Sequence, residues 1–447
     1  MNAAAKSPPA WLAPLLLLLA GLALHAAWFT RPLSVVFDEV YFGRYAMAYL
    51  KGRDYFDLHP PLAKLLLGAT AWLLGLDPGF SWATNGLAFP DASYALLRVP
   101  VHAVGILLPV AFWGVARELG LSRWAAFVVG ALAVLDNAWL VMTRIALTDV
   151  FFILFGFAAL WAYLRHRRGG RARGLWVAAV LAGAAISVKW TALSFLGLML
   201  GLEALRLWRE RRSVGVRGLW RPAALLALPA AIYVASFALH FAFVTPPPDA
   251  DATMVNAAKL PFGERFVDLN RRMWQASSGM TVKHAYSSRW YDWPFMMRPI
   301  DFWAQYRDDL LSRIYLLGNP VVWWATGYCM LFLLVNFVPK LPDLLTRRPP
   351  APAGPSEIFL ICAYLANLLP FTVIGRVMFL YHYLPALGFA LLSLGLLLDR
   401  CGRHAKWLGV TLLVLAGAAF VYFAPLSYGL EITRAQFDAR FWMNSWK

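Results

Sequence analysis

Two adjacent carboxylates, Asp38 and Glu39, stand just past the first apolar stretch of the chain in Phe37-Asp38-Glu39-Val40-Tyr41-Phe42-Gly43, and His59-Pro60-Pro61-Leu62 follows shortly after. A carboxylate beside a membrane can take a proton from a hydroxyl, and nearby cations can hold a phosphate through charge-assisted hydrogen bonds. The remaining ionisable residues in apolar surroundings fall at corresponding places along the chain: Arg98, Asp136, Arg144, Asp149, Lys189, Arg376 and His382. An ionisable side chain in the middle of a bilayer costs roughly 2.5 to 3.5 kcal/mol, so each of these marks a site or a helix end that snorkels.

These residues need apolar helices to position them. With 60% hydrophobic and 15% charged residues in 447, the chain is too apolar for an ordinary soluble protein. Apolar windows recur near 11–29, 95–117, 124–141, 145–165, 174–188, 190–207, 222–243, 320–338, 356–374, 379–398 and 406–424. They predict an all-α polytopic membrane protein with about eleven transmembrane helices. The first window lacks a small-x-small cleavage site and runs straight into the acidic motif, so it reads as a span and not a signal peptide.

The net charge of +17 comes from arginine clusters at Arg165–Arg173, Arg206–Arg221, Lys340–Arg348 and Arg400–Lys406. With the N-terminus cytoplasmic, eleven spans put all four clusters on the cytoplasmic side, so orientation accounts for the basicity and nucleic-acid binding is excluded as its cause. The bilayer is then the expected partner, in a plasma membrane, with the C-terminus outside. The ionisable residues above all gather at the outer ends of their spans, which predicts one polar cavity at the outer interface. Glu118 and Glu203, at inner ends beside arginines, read as ordinary ion pairs.

Two long connections, 30–94 and 245–319, are the outer loops of what reads as a single transmembrane domain over 1–447. The first holds two stretches with helical apolar spacing, Val40–Leu50 and Leu62–Leu74, separated by the break at His59-Pro60-Pro61. The second is rich in aromatic and basic residues, among them Trp274, Trp290, Trp293 and Arg298, readable either as an interfacial belt or as a binding surface. Residues 349–355 read as a cytoplasmic linker. Cys329, Cys362 and Cys401 have no metal-ligand spacing, and the sequence predicts no metal site, requires no cofactor, and leaves a divalent ion and the oligomeric state open.

An outward-facing polar cavity with carboxylates and cations suits a lipid phosphate. Sugar nucleotides are cytoplasmic, so glycosyl transfer on the outer face needs a donor carried on a membrane-crossing lipid. The ordered set Phe37–Gly43, Tyr49-Leu50-Lys51-Gly52, His59–Lys64, Leu97-Arg98, Leu135-Asp136-Asn137, Thr143–Asp149, Val188-Lys189-Trp190-Thr191, Trp293-Pro294 with Arg298-Pro299, and Tyr381–Pro385 resembles the protein O-mannosyltransferases, membrane glycosyltransferases of the GT-C type.

The resemblance implies a GT-C architecture and an inverting transfer of mannose or a similar sugar from a polyprenyl-phosphate carrier to serine or threonine of an exported protein. It implies Asp38 as catalytic base with Glu39 beside it, Arg98 and Lys189 as donor-phosphate contacts, and His59, Asp136, Arg144, Asp149, Arg298, Arg376 and His382 as further pocket candidates. Tyr41 stands where the family motif usually has histidine, and the 245–319 loop is too short for the MIR domain of fungal and animal members, which implies the bacterial type. A transferase acting on a lipid or glycan acceptor, as aminoarabinose transferases do, is the alternative. A transporter would call for mid-membrane charges and inverted repeats, and neither is visible.

Overall fold

The computed structural model describes residues 9–210, 215–250, 252–279, 284–340 and 354–447. The Lys340–Arg348 cluster beyond Lys340, the linker at 349–353, and part of the Arg206–Arg221 cluster lie outside the described residues.

The chain is mostly helical. In order come α1 (Leu12–Ala26), α2 (Glu39–Leu50), α3 (Leu62–Leu73), α4 (Val99–Glu118), α5 (Arg123–Val134), α6 (Asn137–Met142), α7 (Asp149–Gly169), α8 (Ala172–Ile186), α9 (Leu193–Arg209) and α10 (Trp220–Phe243). The second long loop carries α11 (Ala252–Lys259), α12 (Phe262–Ser278) and strands β1 (Ile300–Arg307) and β2 (Leu310–Leu316). Then follow α13 (Pro320–Phe337), α14 (Pro355–Leu368), α15 (Leu384–Arg400), α16 (Ala405–Tyr428), β3 (Glu431–Thr433) and α17 (Arg434–Asp438).

Among the described residues, eight helices are long and apolar enough to cross a membrane. The three other expected spans fall on the shorter apolar helices α1, α5 and α8. The predicted span at 124–141 is broken at Leu135-Asp136, because the Asp136 side chain accepts the Trp139 N–H and caps α6 as a separate helix. The two interfacial helices of the first loop appear within a residue of their predicted bounds, as α2 and α3.

One feature of the second loop departs from an all-helical reading. β1 and β2 form an antiparallel hairpin through Asp308-Asp309, and β3 pairs with the far edge of β2, giving the strand order β1-β2-β3. The pairing of β1 with β2 shifts register once, between Asp301 and Trp303.

The core lies where α4, α7, α8, α15 and the ends of their neighbours meet, packed by large side chains such as Phe112, Phe157, Phe195 and Phe389. Glycine permits close approach at Gly388, where an added Cβ would sit 2.5 Å from Phe157 Cζ. At the ends far from the long loops, Arg206 pairs with buried Glu203 at 2.7 Å and Arg168 approaches Glu118 at 3.8 Å, matching the ion pairing expected there. The long loops share the opposite end of the bundle.

Candidate active site

The chain turns into the acidic motif through Phe37, whose φ of 49° is a left-handed conformation that a bulky side chain adopts only when its surroundings hold it. Asn85 Oδ1 accepts the Phe37 N–H at 3.2 Å, and the Phe37 ring stacks on Phe302 with centroids 4.0 Å apart. The two carboxylates that follow point into different environments.

Glu39 is fully buried and fully partnered. Arg98 Nε donates to Oε1 and Nη2 to Oε2, each at 2.8 Å, while the Val36 N–H reaches Oε2 at 2.9 Å and the Ala146 N–H reaches Oε1 at 2.8 Å. Arg98, 1% exposed, also donates to the carbonyls of Pro32 and Ser34 at 2.8 Å. This bidentate pair closes a knot joining the first loop, the start of α4 and the turn before α7. Arg98 and Glu39 thus engage each other and backbone groups, where a donor-phosphate contact and a catalytic role were expected of them.

Asp38 occupies the N-cap position of α2, yet its side chain makes no capping bond. Among the described residues nothing claims its oxygens. Its surroundings are the loop at 54–61 and the cations of the neighbouring cleft: burial first, then the negative charges of Asp149 and Asp57, push its pKa up to about 7 against the pull of Lys189. That is the value of a general base poised near neutrality.

Lys189, in extended backbone between α8 and the turn at Trp190, donates to Asp149 Oδ2 at 2.8 Å and lies 5.9 Å from the Phe152 ring and 5.7 Å from the Tyr381 ring. Asp149 sits in the first turn of α7, where the helix dipole favours a carboxylate. Lys64, buried on α3, pairs with Asp57 and donates to the His59 carbonyl at 2.5 Å, which fixes the His59-Pro60-Pro61 turn against the cleft. Burial, reinforced by Lys189, lowers the His59 pKa to about 3, so its imidazole is neutral. Burial works against ionisation of Asp57, but the charge of Lys64 and its hydrogen bond hold the pKa below the usual carboxylate range.

A cavity of about 370 Å³ opens from Lys189 and His382 between apolar walls that include Phe152, Leu193, Ile374 and Pro385. His382 is fixed by its Nδ1 contact with the Phe379 backbone and by stacking on Tyr381 at 4.6 Å. A wider crevice of about 710 Å³, between 287–292 and 371–378, shares Phe371 and Ile374 with the cavity and carries Arg376, whose Nη1 donates to Ser277 Oγ at 3.0 Å.

The structure thus brings Asp38, His59, Asp149, Lys189, Arg376 and His382 to one cleft. It does not bring Asp136, Arg144 or Arg298 there. Asp136 Oδ2 accepts from Asn319 N at 2.9 Å and Trp323 Nε1 at 2.8 Å, which ties α5 to α13. Arg144 donates to the carbonyls of Ala27 and Trp28 and lies 4.2 Å from the Tyr428 ring. Arg298 holds the carbonyls of Ala285, Ser445 and Lys447. The single outer cavity expected from sidedness is therefore a cleft flanked by separate structural knots, because a helix end offers unpaired carbonyls and N–H groups to any nearby ion. Sequence reading passed over Asp57, Lys64 and Asn85; a lysine inside the apolar run Leu62–Leu67 was the available signal for Lys64.

The family described as dolichyl-phosphate-mannose-protein mannosyltransferase matches residues 15–245, more than half of the chain, and the C-terminal four-span region of protein O-mannosyltransferase matches residues 262–446. The chain belongs to the protein O-mannosyltransferase family. The polyprenol-phosphate-mannose–protein mannosyltransferase of Corynebacterium glutamicum is 26% identical over 87% of this chain and 81% of its own length. Dolichyl-phosphate-mannose–protein mannosyltransferase 1 of Candida albicans is 31% identical over 51% of this chain, and the chain spans 28% of that relative's length. The Saccharomyces cerevisiae protein O-mannosyltransferase Pmt1-Pmt2 complex, solved with the sugar donor, superposes with a TM-score of 0.86 at 18% identity, over 99% of this chain and 93% of that one, which shows the GT-C fold of this O-mannosyltransferase family member.

Proposed function

We propose that this chain transfers mannose, or a similar sugar, from a polyprenyl-phosphate carrier to serine and threonine hydroxyls of exported proteins. The observation that carries the reading is Asp38, a recessed carboxylate with no hydrogen-bond partner among the described residues, next to an ammonium at the mouth of an apolar cavity. A prenyl chain fits walls of Phe152, Leu193, Ile374 and Pro385, and its phosphate meets Lys189 at one end, with Arg376 on the adjoining crevice.

The reaction is one displacement. Asp38 takes the proton of the acceptor hydroxyl as its oxygen bonds to the sugar carbon; the bond from that carbon to the phosphate oxygen breaks, and the polyprenyl phosphate leaves with the electron pair and inverted configuration at the sugar. Lys189 stabilises the charge that develops on the leaving phosphate. Asp149 holds the Lys189 side chain in place through their 2.8 Å contact, and neutral His59 leaves the local negative charge on the carboxylates.

In this reading the chain crosses a plasma membrane eleven times, with the N-terminus cytoplasmic and the cleft outside. In a cysteine-free background, Ser81→Cys and Asn444→Cys should both react with an impermeant thiol reagent in intact cells or spheroplasts, and a cysteine kept at Cys401 should not. Reaction of Cys401 alone would invert the topology. The decisive assay supplies purified protein with polyprenyl-phosphate mannose and either a Ser/Thr peptide or a lipid acceptor. Transfer to the lipid alone would move the chain to the other acceptor class.

A further inference from the structure

β1 is the outer strand of its sheet: β2 covers one edge, β3 closes the far side of β2, and the other edge of β1 faces away from the sheet. On that free edge, the Phe302 carbonyl is taken by Asn85 Nδ2 at 2.8 Å. Past it, Ala304 to Arg307 are exposed, and among the described residues no backbone or side-chain group outside the hairpin pairs with their N–H and C=O groups. Four residues of open ladder span roughly 14 Å. Proteins usually blunt such an edge with proline, lysine or a covering element. Here the one irregularity, the register shift at Asp301/Trp303, lies at the covered end.

That covered end abuts the catalytic turn. Asn85 bonds both Phe302 and the N–H of Phe37, and the Phe37 and Phe302 rings stack, so the third residue of the strand packs on the neighbour of Asp38. The geometry points to the free edge of β1 as the docking rail for the acceptor: an extended polypeptide adds to the sheet as a fourth strand and runs past Asn85 to present a hydroxyl to Asp38. The inference rests on the reading that the acceptor is a polypeptide. Strand addition recognises backbone groups, which every polypeptide carries, and side-chain pockets add only preference. It suits an enzyme that must take serine or threonine in many sequence contexts.

The test uses the unaltered protein, polyprenyl-phosphate mannose, and a series of Ser/Thr peptides each carrying one N-methylated amide. Strand addition predicts a period of two: methylation at alternate positions on one side of the acceptor residue raises the peptide KM about three- to tenfold, the worth of one lost hydrogen bond, with kcat little changed. Ala304→Pro and Gln305→Pro give an independent check, because adjacent strand residues face opposite edges. The one facing outward should raise the peptide KM and leave the donor KM and thermal stability as they were; the one facing β2 should lower stability. A flat methylation scan with normal peptide transfer, or edge contacts that titrate with protein concentration and do not compete with peptide, would overturn the docking rail and leave the transferase reading intact. Absence of transfer to any peptide would overturn the reading beneath it.

Discussion

Asp38 and Glu39 are neighbours in sequence and opposites in situation. Glu39 accepts four hydrogen bonds, two of them from an arginine fork, in a site closed to water; Asp38, one position earlier, keeps its side-chain oxygens unclaimed in a cleft. A buried carboxylate whose every lone pair is used is a structural element, whereas one that protein charges surround without bonding it is free to exchange a proton. The same contrast separates the cations: Arg98 is committed to Glu39 and two carbonyls, and Lys189 meets one carboxylate and faces a cavity.

The largest effect is expected from Asp38→Asn. It keeps the shape and removes the proton acceptor, so transfer should fall on the order of 10²- to 10⁴-fold. Thermal stability in detergent should hold or rise near neutral pH, because no capping bond is lost and a buried charge is removed. Near-normal turnover would erase the contrast with Glu39.

Glu39→Gln should behave in the opposite way, losing fold before chemistry. Removing one partner of a buried ion pair costs about 3 to 5 kcal/mol, visible as a lowered midpoint of thermal unfolding, and pairing it with Arg98→Met should restore part of the loss. An unchanged midpoint with abolished transfer would return Glu39 to the catalytic group.

Lys189→Ala should weaken donor use by about ten- to a hundredfold, in line with about 1.5 to 3 kcal/mol for a charged hydrogen bond, read from the donor-concentration dependence of transfer. Arg98→Lys should leave that dependence alone in whatever protein folds. Identical shifts for both would merge the two regions.

The smallest effect is on the pH profile. With Asp38 raised to about 7, kcat/KM should fall as the pH drops below 7, to roughly a tenth of its plateau at pH 6. The sign for stability is opposite: the folded state holds a proton that the unfolded chain gives up in the ordinary carboxylate range, so stability declines as the pH rises from about 4 towards 7. A flat profile between pH 5 and 8 would mean that the carboxylate is not the titrating base.

Helices α2 and α3 and the apolar helices were legible because periodicity and desolvation cost are local properties of a sequence. The division of labour among the ions was not. Arg98 and Glu39 are 59 positions apart and Ala146 lies 107 beyond Glu39, so nothing in the spacing tells which charge will be answered by a backbone N–H. The hairpin had a readable signal, two aromatic or aliphatic runs around Asp308-Asp309, but in a chain dominated by helical apolar windows a short strand buried at its start and exposed from Ala304 on is the weaker pattern.

The cap at Asp136 has a consequence for biogenesis. Its partners Asn319 and Trp323 are made 183 and 187 residues later, a delay of roughly 10 to 40 s at ordinary rates of synthesis. For that interval α5 and α6 sit in the bilayer with two of the contacts to Asp136 still missing, so the newborn segment needs water or an insertion factor as a temporary partner. A slow translation stretch between 142 and 319 would lengthen that exposure, and the yield of correctly assembled protein should depend on codon choice there.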